Sequence, residues 1–467
     1  MPDRTIAAIS TGMTSSGIGI VRMSGEESFQ IIDRIYKGKE KLAEAPSHTI
    51  HYGFIRDGEE VIDEVLVMLM RGPRSFTGED TVEINCHGGT FVVNRLLETV
   101  IKHGAKPAEP GEFTKRAFLN GRMDLSQAEA VIDVINSRNE YALKSSVGQL
   151  KGSVKKKITD IRNKIIYHTA FIETALDDPE HISVDGYGAT LKLTVDEISA
   201  VLKDLIDSAD DGRIMKEGIQ TVIVGKPNAG KSSLLNVLAG KERAIVTDIA
   251  GTTRDTLEES IQLQGLCLNI IDTAGIRDTE DIIEKIGVDK AKQYARDADL
   301  IIYVVDSSRE LDEDDKKIMD LIYDKKSIIL LNKSDLDIIV TKEILQNEIK
   351  KCCNSDGNSE ITIPMIEISA KEEQGIKLLE NTLKSMFLHG EIDLNDEIYI
   401  TNIRQKTALQ EAYNSLQKVN ESITENMPED FYSIDLMDAY ESLGSITGEA
   451  IGEDLVNEIF SKFCMGK

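Results

Sequence analysis

The chain has no surplus of positive charge. Its 54 Lys and Arg residues face 81 Asp and Glu, a formal net charge of −27 over 467 residues. That balance excludes a broad basic surface of the kind that neutralises nucleic-acid phosphates. Any action on RNA then calls for a partner or a local basic patch, while acidity favours solubility and basic partners. Cysteine is scarce as well. Cys86, Cys267, Cys352, Cys353 and Cys464 form no C-x-x-C pair and no metal-ligand spacing. An odd, scattered set points to a reducing compartment and away from a disulfide framework. Met1-Pro2-Asp3-Arg4 is not a basic segment leading into an apolar core, so neither a signal peptide nor an organelle transit peptide is expected. No run approaches the roughly 18 apolar residues of a membrane span, and no solenoid-length repeat is present. The expectation is a soluble, cytoplasmic protein with no membrane association.

What is present is enough for several packed cores. Hydrophobic residues make up 41% of the chain, and the length allows roughly two to four domains. Up to about position 121, strand-like runs (Ile18 to Met23, Val65 to Leu69) alternate with an amphipathic stretch from Phe91 to His103, an α/β or α+β pattern. Residues 122–217 read almost entirely as helix, from Ala128 to Ile135 and from Ile158 to Leu176, with a turn at Asp177-Asp178-Pro179. Residues 218–383 return to strand-helix units. The runs Thr221 to Val224, Leu300 to Val305 and Ile328 to Leu331 suit a sheet buried on both faces. Residues 384–467 are helical again. The simplest architecture is one helical domain built from 122–217 and 384–467, with the α/β domain inserted between.

The inserted segment carries four motifs in order. Gly225-Lys226-Pro227-Asn228-Ala229-Gly230-Lys231-Ser232 fits G-x-x-x-x-G-K-S after a predicted strand and before a predicted helix, Ser233 to Leu238. Glycines such as Gly230 let the backbone curl so that N–H groups meet phosphate oxygens, and a helix beginning at Ser233 adds its positive end. Lys231 would reach the β- and γ-phosphates, and the Ser232 hydroxyl would ligate magnesium. Asp272-Thr273-Ala274-Gly275 ends the next strand. Asp272 suits the magnesium shell, and the Gly275 N–H suits the γ-phosphate. Asn332-Lys333-Ser334-Asp335 follows a third strand. A carboxylate at Asp335 accepts two hydrogen bonds from guanine, a pair adenine does not offer. Asn332 would tie this loop to the P-loop, and the Lys333 stem would cover the base. Ser369-Ala370-Lys371 would place a backbone N–H against the guanine oxygen. GTP is therefore the expected ligand.

The hydrolytic machinery differs from a Ras-like switch, where glutamine follows the D-x-x-G turn. Here Ile276 follows Gly275 and cannot orient water. Gly251-Thr252-Thr253-Arg254-Asp255 occupies the first-switch position, with Thr253 placed to reach magnesium. The Asn228 amide oxygen, with carbonyls from Thr247-Asp248-Ile249-Ala250, suits a monovalent cation such as potassium, which would supply positive charge at the phosphates. By residue type alone, Glu284 reads either as a solvated charge at a helix start or as the group that orients water.

Taken together, Pro227–Asn236, Thr247–Asp255, Asp272–Arg277 and the closing Phe463-Cys464-Met465-Gly466-Lys467 resemble the MnmE/TrmE family of tRNA-modification GTPases. The N-terminal blocks Ser75–Asp80, His87–Gly89 and Pro110–Asn120 extend the resemblance over nearly the whole chain. The GTPase motifs are shared with Era-like proteins; the N-terminal blocks and the cysteine motif are more specific. The resemblance implies a multi-domain protein: an N-terminal α/β folate-binding and dimerising domain (1–121), an all-α helical domain (122–217 with 384–467), and an inserted α/β P-loop GTPase domain (218–383). It implies a homodimer whose GTPase domains pair in a potassium-dependent way. Asn228, Thr247, Ile249 and Thr252 match the potassium ligands and Glu284 the water-orienting glutamate. Arg22, Glu83, Arg122 and Lys467 match positions that touch 5-formyltetrahydrofolate or a related tetrahydrofolate. The resemblance places Cys464 near that folate and implies a part in the chemistry. A flavin-dependent partner (MnmG/GidA-like) and tRNA complete the implied system, which modifies C5 of the wobble uridine. Gln405 and Met465 depart from the residues common in relatives, histidine and isoleucine.

Other features read as unremarkable. Glu310 to Asp315 is expected to start a solvated helix. Cys352-Cys353 lies in a polar loop, and His87 in a glycine-flanked turn. Two other classes stay open at this point: a GTP-binding regulatory module with slow turnover, and an Era-like ribosome-assembly GTPase, which would carry a basic RNA-binding domain not visible here.

Overall fold

The structure, a computed structural model, describes residues 4–183, 186–241, 259–263, 265–271, 298–322, 325–352, 363–387, 399–449, 452–463 and 466. The chain divides into two compact units. One comprises Met1–Asn136, Ser146–Lys203 and Arg404–Lys467; the other Ser137–Ser145 and Asp204–Ile403.

In the first unit, strands β1 (Ile6–Ile9), β2 (Gly19–Ser24), β3 (Tyr36–Gly38), β4 (Thr49–Asp57), β5 (Glu60–Met70), β6 (Thr81–Cys86) and β7 (Lys106–Pro107) form one sheet in the order β3-β4-β5-β6-β2-β1-β7. All neighbours are antiparallel except β1 and β7. The period-2 alternation of a strand sorts its side chains. Val21 and Met23 of β2, Val65, Val67 and Leu69 of β5, and Val82 and Ile84 of β6 are buried in one core with Ile31, Ile32, Leu96 and Val100. The last four come from helices Ser28–Ile35 and Thr90–Lys102. Arg22 and Glu83, lying between those apolar residues in the sequence, are thereby turned to the opposite face of the sheet.

The same unit holds helices on both sides of the inserted segment. Helix Ser153–Asp177 packs against Glu429–Thr447. Arg162 donates to Glu449 Oε1 at 2.6 Å and stacks over the Tyr440 ring at 4.0 Å. Glu129, on helix Leu125–Asn136, is buried beneath Arg404 and Gln405 of helix Ile403–Thr424. Arg404 Nε and Nη2 donate to its two oxygens at 2.9 and 3.0 Å, and Gln405 Nε2 adds a third bond at 2.8 Å. A carboxylate taken out of water needs such partners to offset its lost solvation. Gln405, flagged as a departure in the sequence, thus belongs to the helical core.

In the second unit, β8 (Ile219–Val224), β9 (Glu259–Leu263), β10 (Leu266–Ile270), β11 (Leu300–Asp306), β12 (Ser327–Asn332) and β13 (Met365–Glu367) form a sheet in the order β13-β12-β11-β8-β10-β9, parallel except for β9. Both faces are covered. Ile302, Val304, Ile328 and Leu330 pack with Leu234, Leu235 and Leu238 on one side. Ile301, Tyr303, Val305, Ile329 and Leu331 pack with Ile318, Met319 and Ile322 on the other. The continuous apolar runs in the sequence have this cause. The strand order reverses at β8, and loops at the carboxyl ends flanking such a reversal form a crevice where ligands bind. Among the described residues no helix is long and apolar enough to cross a membrane.

Removing the carboxylate with Glu129→Ala leaves the half-buried Arg404 guanidinium without that counter-charge, held by the Ser445 and Ile446 carbonyls. Chemical denaturation is expected to show a loss of about 3 kcal/mol in the unfolding step that melts these helices.

Candidate functional site: a nucleotide cleft and an arginine-glutamate pair

The turn after β8 curls through three left-handed residues: Gly225 (φ 152°), Asn228 (φ 61°) and Gly230 (φ 101°). A side chain at Gly230 would collide with the Asn332 amide, and one at Gly225 with the Val304 carbonyl. Asparagine tolerates the left-handed region better than most residues, which suits position 228. The Lys231 ammonium donates to the carbonyls of Gly225 at 2.6 Å and Lys226 at 2.9 Å, so the loop closes around it. The helix that follows is Lys231–Lys241. It starts two residues before the predicted Ser233. Ser232 and Ser233 therefore lie in its first turn, where backbone N–H groups have no intrahelical acceptor and the dipole favours anions.

The base-recognition loop is built on Asn332 at the end of β12. This side chain is 2% exposed. Its Nδ2 donates to the Ala229 carbonyl of the P-loop at 2.7 Å, and its Oδ1 accepts from the Ala370 N–H at 3.0 Å. Lys333 is held in a left-handed turn (φ 66°), and its ammonium donates to Asp306 Oδ2 at 2.5 Å. Burial pushes the Asp306 carboxyl up, but Lys333 and the Ser308 hydroxyl and amide outweigh it, so its pKa is lowered. Asp335 is exposed, with Oδ1 accepting from the Ser369 hydroxyl at 2.7 Å. That bond, helped by Lys371 and Lys333, holds its carboxyl below the usual range, so Asp335 stays a pure acceptor. The structure therefore gathers Asn228, Gly230, Lys231, Ser232, Ser233, Asn332, Lys333, Asp335, Ser369 and Ala370 at the carboxyl ends of β8, β12 and β13.

In the other unit, Arg22 and Glu83 are directly opposed partners on β2 and β6. Arg22 Nε and Nη2 each lie 2.8 Å from Glu83 Oε1, with side chains 12% and 15% exposed. The Phe76 ring lies 5.3 Å from the guanidinium carbons of both Arg22 and Arg122, and Phe113 lies 5.6 Å from Arg22. The Gly466 carbonyl accepts from Arg22 Nη1 at 3.4 Å and from Ser10 Oγ at 3.1 Å. Gly466 of the closing motif is thereby brought to the arginine-glutamate pair.

Two family models match this chain: "MnmE helical domain" over residues 125–464 and "GTP-binding protein TrmE N-terminus" over 5–122. The chain belongs to the MnmE family. Proteins named "tRNA modification GTPase MnmE" from Lachnoclostridium phytofermentans and Acetivibrio thermocellus are 57% and 50% identical to it. The matches span 100% of both chains in the first case and 99% of each in the second. The protein of the same name from Clostridioides difficile is 46% identical over 100% of this chain and 99% of its own.

Several residues that the MnmE resemblance singles out lie outside the described residues: Thr247, Ile249, Thr252, Thr253, Asp272, Gly275, Glu284, Cys464 and Lys467. Among the described residues no cluster of His, Cys, Asp and Glu could by itself hold a metal ion. The Ser232 hydroxyl and the Asn228 amide remain as oxygen donors, a set that fits hard cations sharing their shell with phosphate.

Two expectations are corrected, and His87 gains a structural partner. Glu310 to Asp315 is not simply a solvated helix start: Asp315 is 1% exposed and bound to Lys226 Nζ at 2.6 Å. A salt bridge to a basic P-loop residue leaves no trace in local charge pattern. Cys352 ends helix Lys342–Cys352 and does not lie in the loop. His87 is exposed, but Asp63 fixes it, accepting from its backbone N–H and pairing with Nδ1, both at 2.7 Å. The Asp63 hydrogen bond and charge raise its pKa. Sequence reasoning also missed Asp306, Phe76 and Phe113. An aspartate ending the apolar run Leu300–Val305 is the one local signal among them.

Asn332→Ala removes both bonds at once and leaves the Ala229 carbonyl and Ala370 N–H buried. Calorimetric titration is expected to show GDP and GTP binding weakened together by roughly 30-fold, about 2 kcal/mol.

Proposed function

We propose that this chain is a GTP hydrolase acting in tRNA modification. The observation that carries the reading is the buried Asn332 bridge. It joins the loop that carries Asp335, an exposed carboxylate held by the Ser369 hydroxyl, to the phosphate-binding loop. Asp335 selects guanine because guanine presents two adjacent donors where adenine does not. Lys231 and the first turn of helix Lys231–Lys241 neutralise the phosphates. Magnesium at Ser232, Thr253 and Asp272 would supply charge neutralisation at the β- and γ-phosphates. Potassium at Asn228, Thr247, Ile249 and Thr252 would take the place of an arginine finger, and Glu284 would orient the attacking water.

The rest of the proposal concerns what hydrolysis serves. The Arg22–Glu83 pair and Arg122, set around Phe76, suit a tetrahydrofolate: a carboxylate for the amino-pyrimidine edge, guanidinium groups for carboxylates and carbonyls, and an aromatic ring to stack. Lys467 and Cys464 would complete this site. The one-carbon unit carried there would enter C5 of the wobble uridine, in the cytoplasm, with a flavin-dependent partner and a homodimeric arrangement of this chain. GTP turnover would drive a conformational cycle. The acidity of the chain, net −27, supports a division of labour in which a partner holds the tRNA.

Two experiments test this. Asp335→Asn exchanges an acceptor for a donor. It is expected to weaken GTP by about 100-fold or more and to bind xanthosine triphosphate better than GTP, as read by nucleotide competition; unaltered GTP binding would sink the base assignment. Mass spectrometry of wobble nucleosides is expected to show a C5-modified uridine lost from cells lacking the protein, restored by the intact chain and not by Asp335→Asn. Unchanged nucleosides would remove the tRNA reading and leave the GTPase reading standing.

A further inference from the structure

We infer that Lys226, Asp315 and Tyr303 form a brace that fixes the phosphate loop before nucleotide arrives, making Lys226 a positioning residue for phosphate binding; this rests on the GTPase reading above. A lysine at the second position of such a loop would ordinarily extend into water. Here its side chain is 21% exposed, and its ammonium lies 2.6 Å from Asp315 Oδ2 and 3.0 Å from Asp312 Oδ2. Asp315 is in turn held from two further directions. Its Oδ1 accepts from the Tyr303 hydroxyl at 2.7 Å, and its Oδ2 accepts from the Asp312 N–H at 3.0 Å. Tyr303 is fully buried in β11, opposite Val224, the residue that precedes Gly225. Burial, with Asp315 beside it, pushes the Tyr303 hydroxyl up, so it remains a donor.

The loop is thus anchored to a helix start through two carboxylates, of which Asp315 is also tied to strand β11. The anchor bears on function because of what the Lys226 backbone does. Its carbonyl accepts from both the Lys231 ammonium at 2.9 Å and the Ala229 N–H at 3.3 Å. Asn228, with its left-handed backbone, lies between those contacts. Losing the brace would let the Lys226 peptide rotate and release the groups arranged around it. Binding would then have to order the loop, and that ordering opposes affinity.

The brace acts through loop geometry shared by both nucleotides, so its signature differs from that of a γ-phosphate contact. In the full-length protein, Lys226→Met is expected to weaken GDP and a non-hydrolysable GTP analogue by the same factor, about tenfold. KM for GTP should rise by that factor, with kcat reduced no more than about twofold. Lys226→Arg, whose guanidinium can reach both carboxylates, should recover most of the affinity. Asp315→Asn should mimic Lys226→Met, and the double variant should be no worse than either alone. Selective loss of the GTP analogue, a fall in kcat at unchanged KM, failure of Lys226→Arg to rescue, or additive effects in the double variant would each overturn the brace. Wild-type protein that binds nucleotide while Lys226→Met binds equally well overturns the brace alone. Wild-type protein that binds neither nucleotide overturns the GTPase reading and the brace with it.

Discussion

The nucleotide cleft hangs on one side-chain amide. Asn332 sits at the end of a fully buried strand, where an unpaired amide would be costly. It resolves this by donating to the P-loop at Ala229 and accepting from the Ala370 N–H. Those two bonds join the three segments that would grip phosphate, base edge and base oxygen. Gly230 is glycine because a side chain there would collide with this amide. The same residue therefore sets both the tightness of the phosphate loop and its register with the guanine loop. Lys333 and Asp335 follow from it: one neighbour is tied down to Asp306, and the other is oriented by Ser369.

Around this centre the charged groups form two tiers. Buried carboxylates, Asp306 and Asp315, hold lysines of the two loops in place from beneath. Asp335 and Ser232, by contrast, are exposed. Under the proposed function this separates positioning from recognition: the carboxylates that position are desolvated and paired, while the one that would recognise the base is exposed. The first unit follows a similar economy. Glu129 fixes Arg404 and Gln405 within the helical core, and Arg162 does the same between two long helices. Arg22 and Glu83 are paired at the face of the sheet away from its helix-packed core.

Much of this was legible in residue order. The P-loop, N-K-S-D and S-A-K motifs are contiguous, and their chemistry is local: glycine for backbone freedom, lysine for phosphate, aspartate for a base edge. The buried parallel strands were legible because a sheet covered on both faces makes every residue of Leu300–Val305 apolar. The set proposed for tetrahydrofolate became readable only by resemblance. Arg22 and Glu83 are separated in the chain by three intervening strands, and no spacing announces that β2 and β6 are neighbours.

The sequence by itself marked the candidate guanine-nucleotide residues, and it determined that a mostly parallel sheet would carry them and that helical segments would flank the insertion in the chain. These follow from periodicity and contiguous motifs, which depend on near neighbours. Only the tertiary structure decided that Asp315, in what reads as a solvated acidic run, is buried against the phosphate loop. It alone decided that Phe76 lies near both Arg22 and Arg122, and that Gln405 completes a buried carboxylate's shell. Those contacts join residues far apart in the chain, and burial rather than charge pattern selects them. An isolated stretch of sequence records which groups are available, but the pairing that desolvation enforces exists only once the elements have packed.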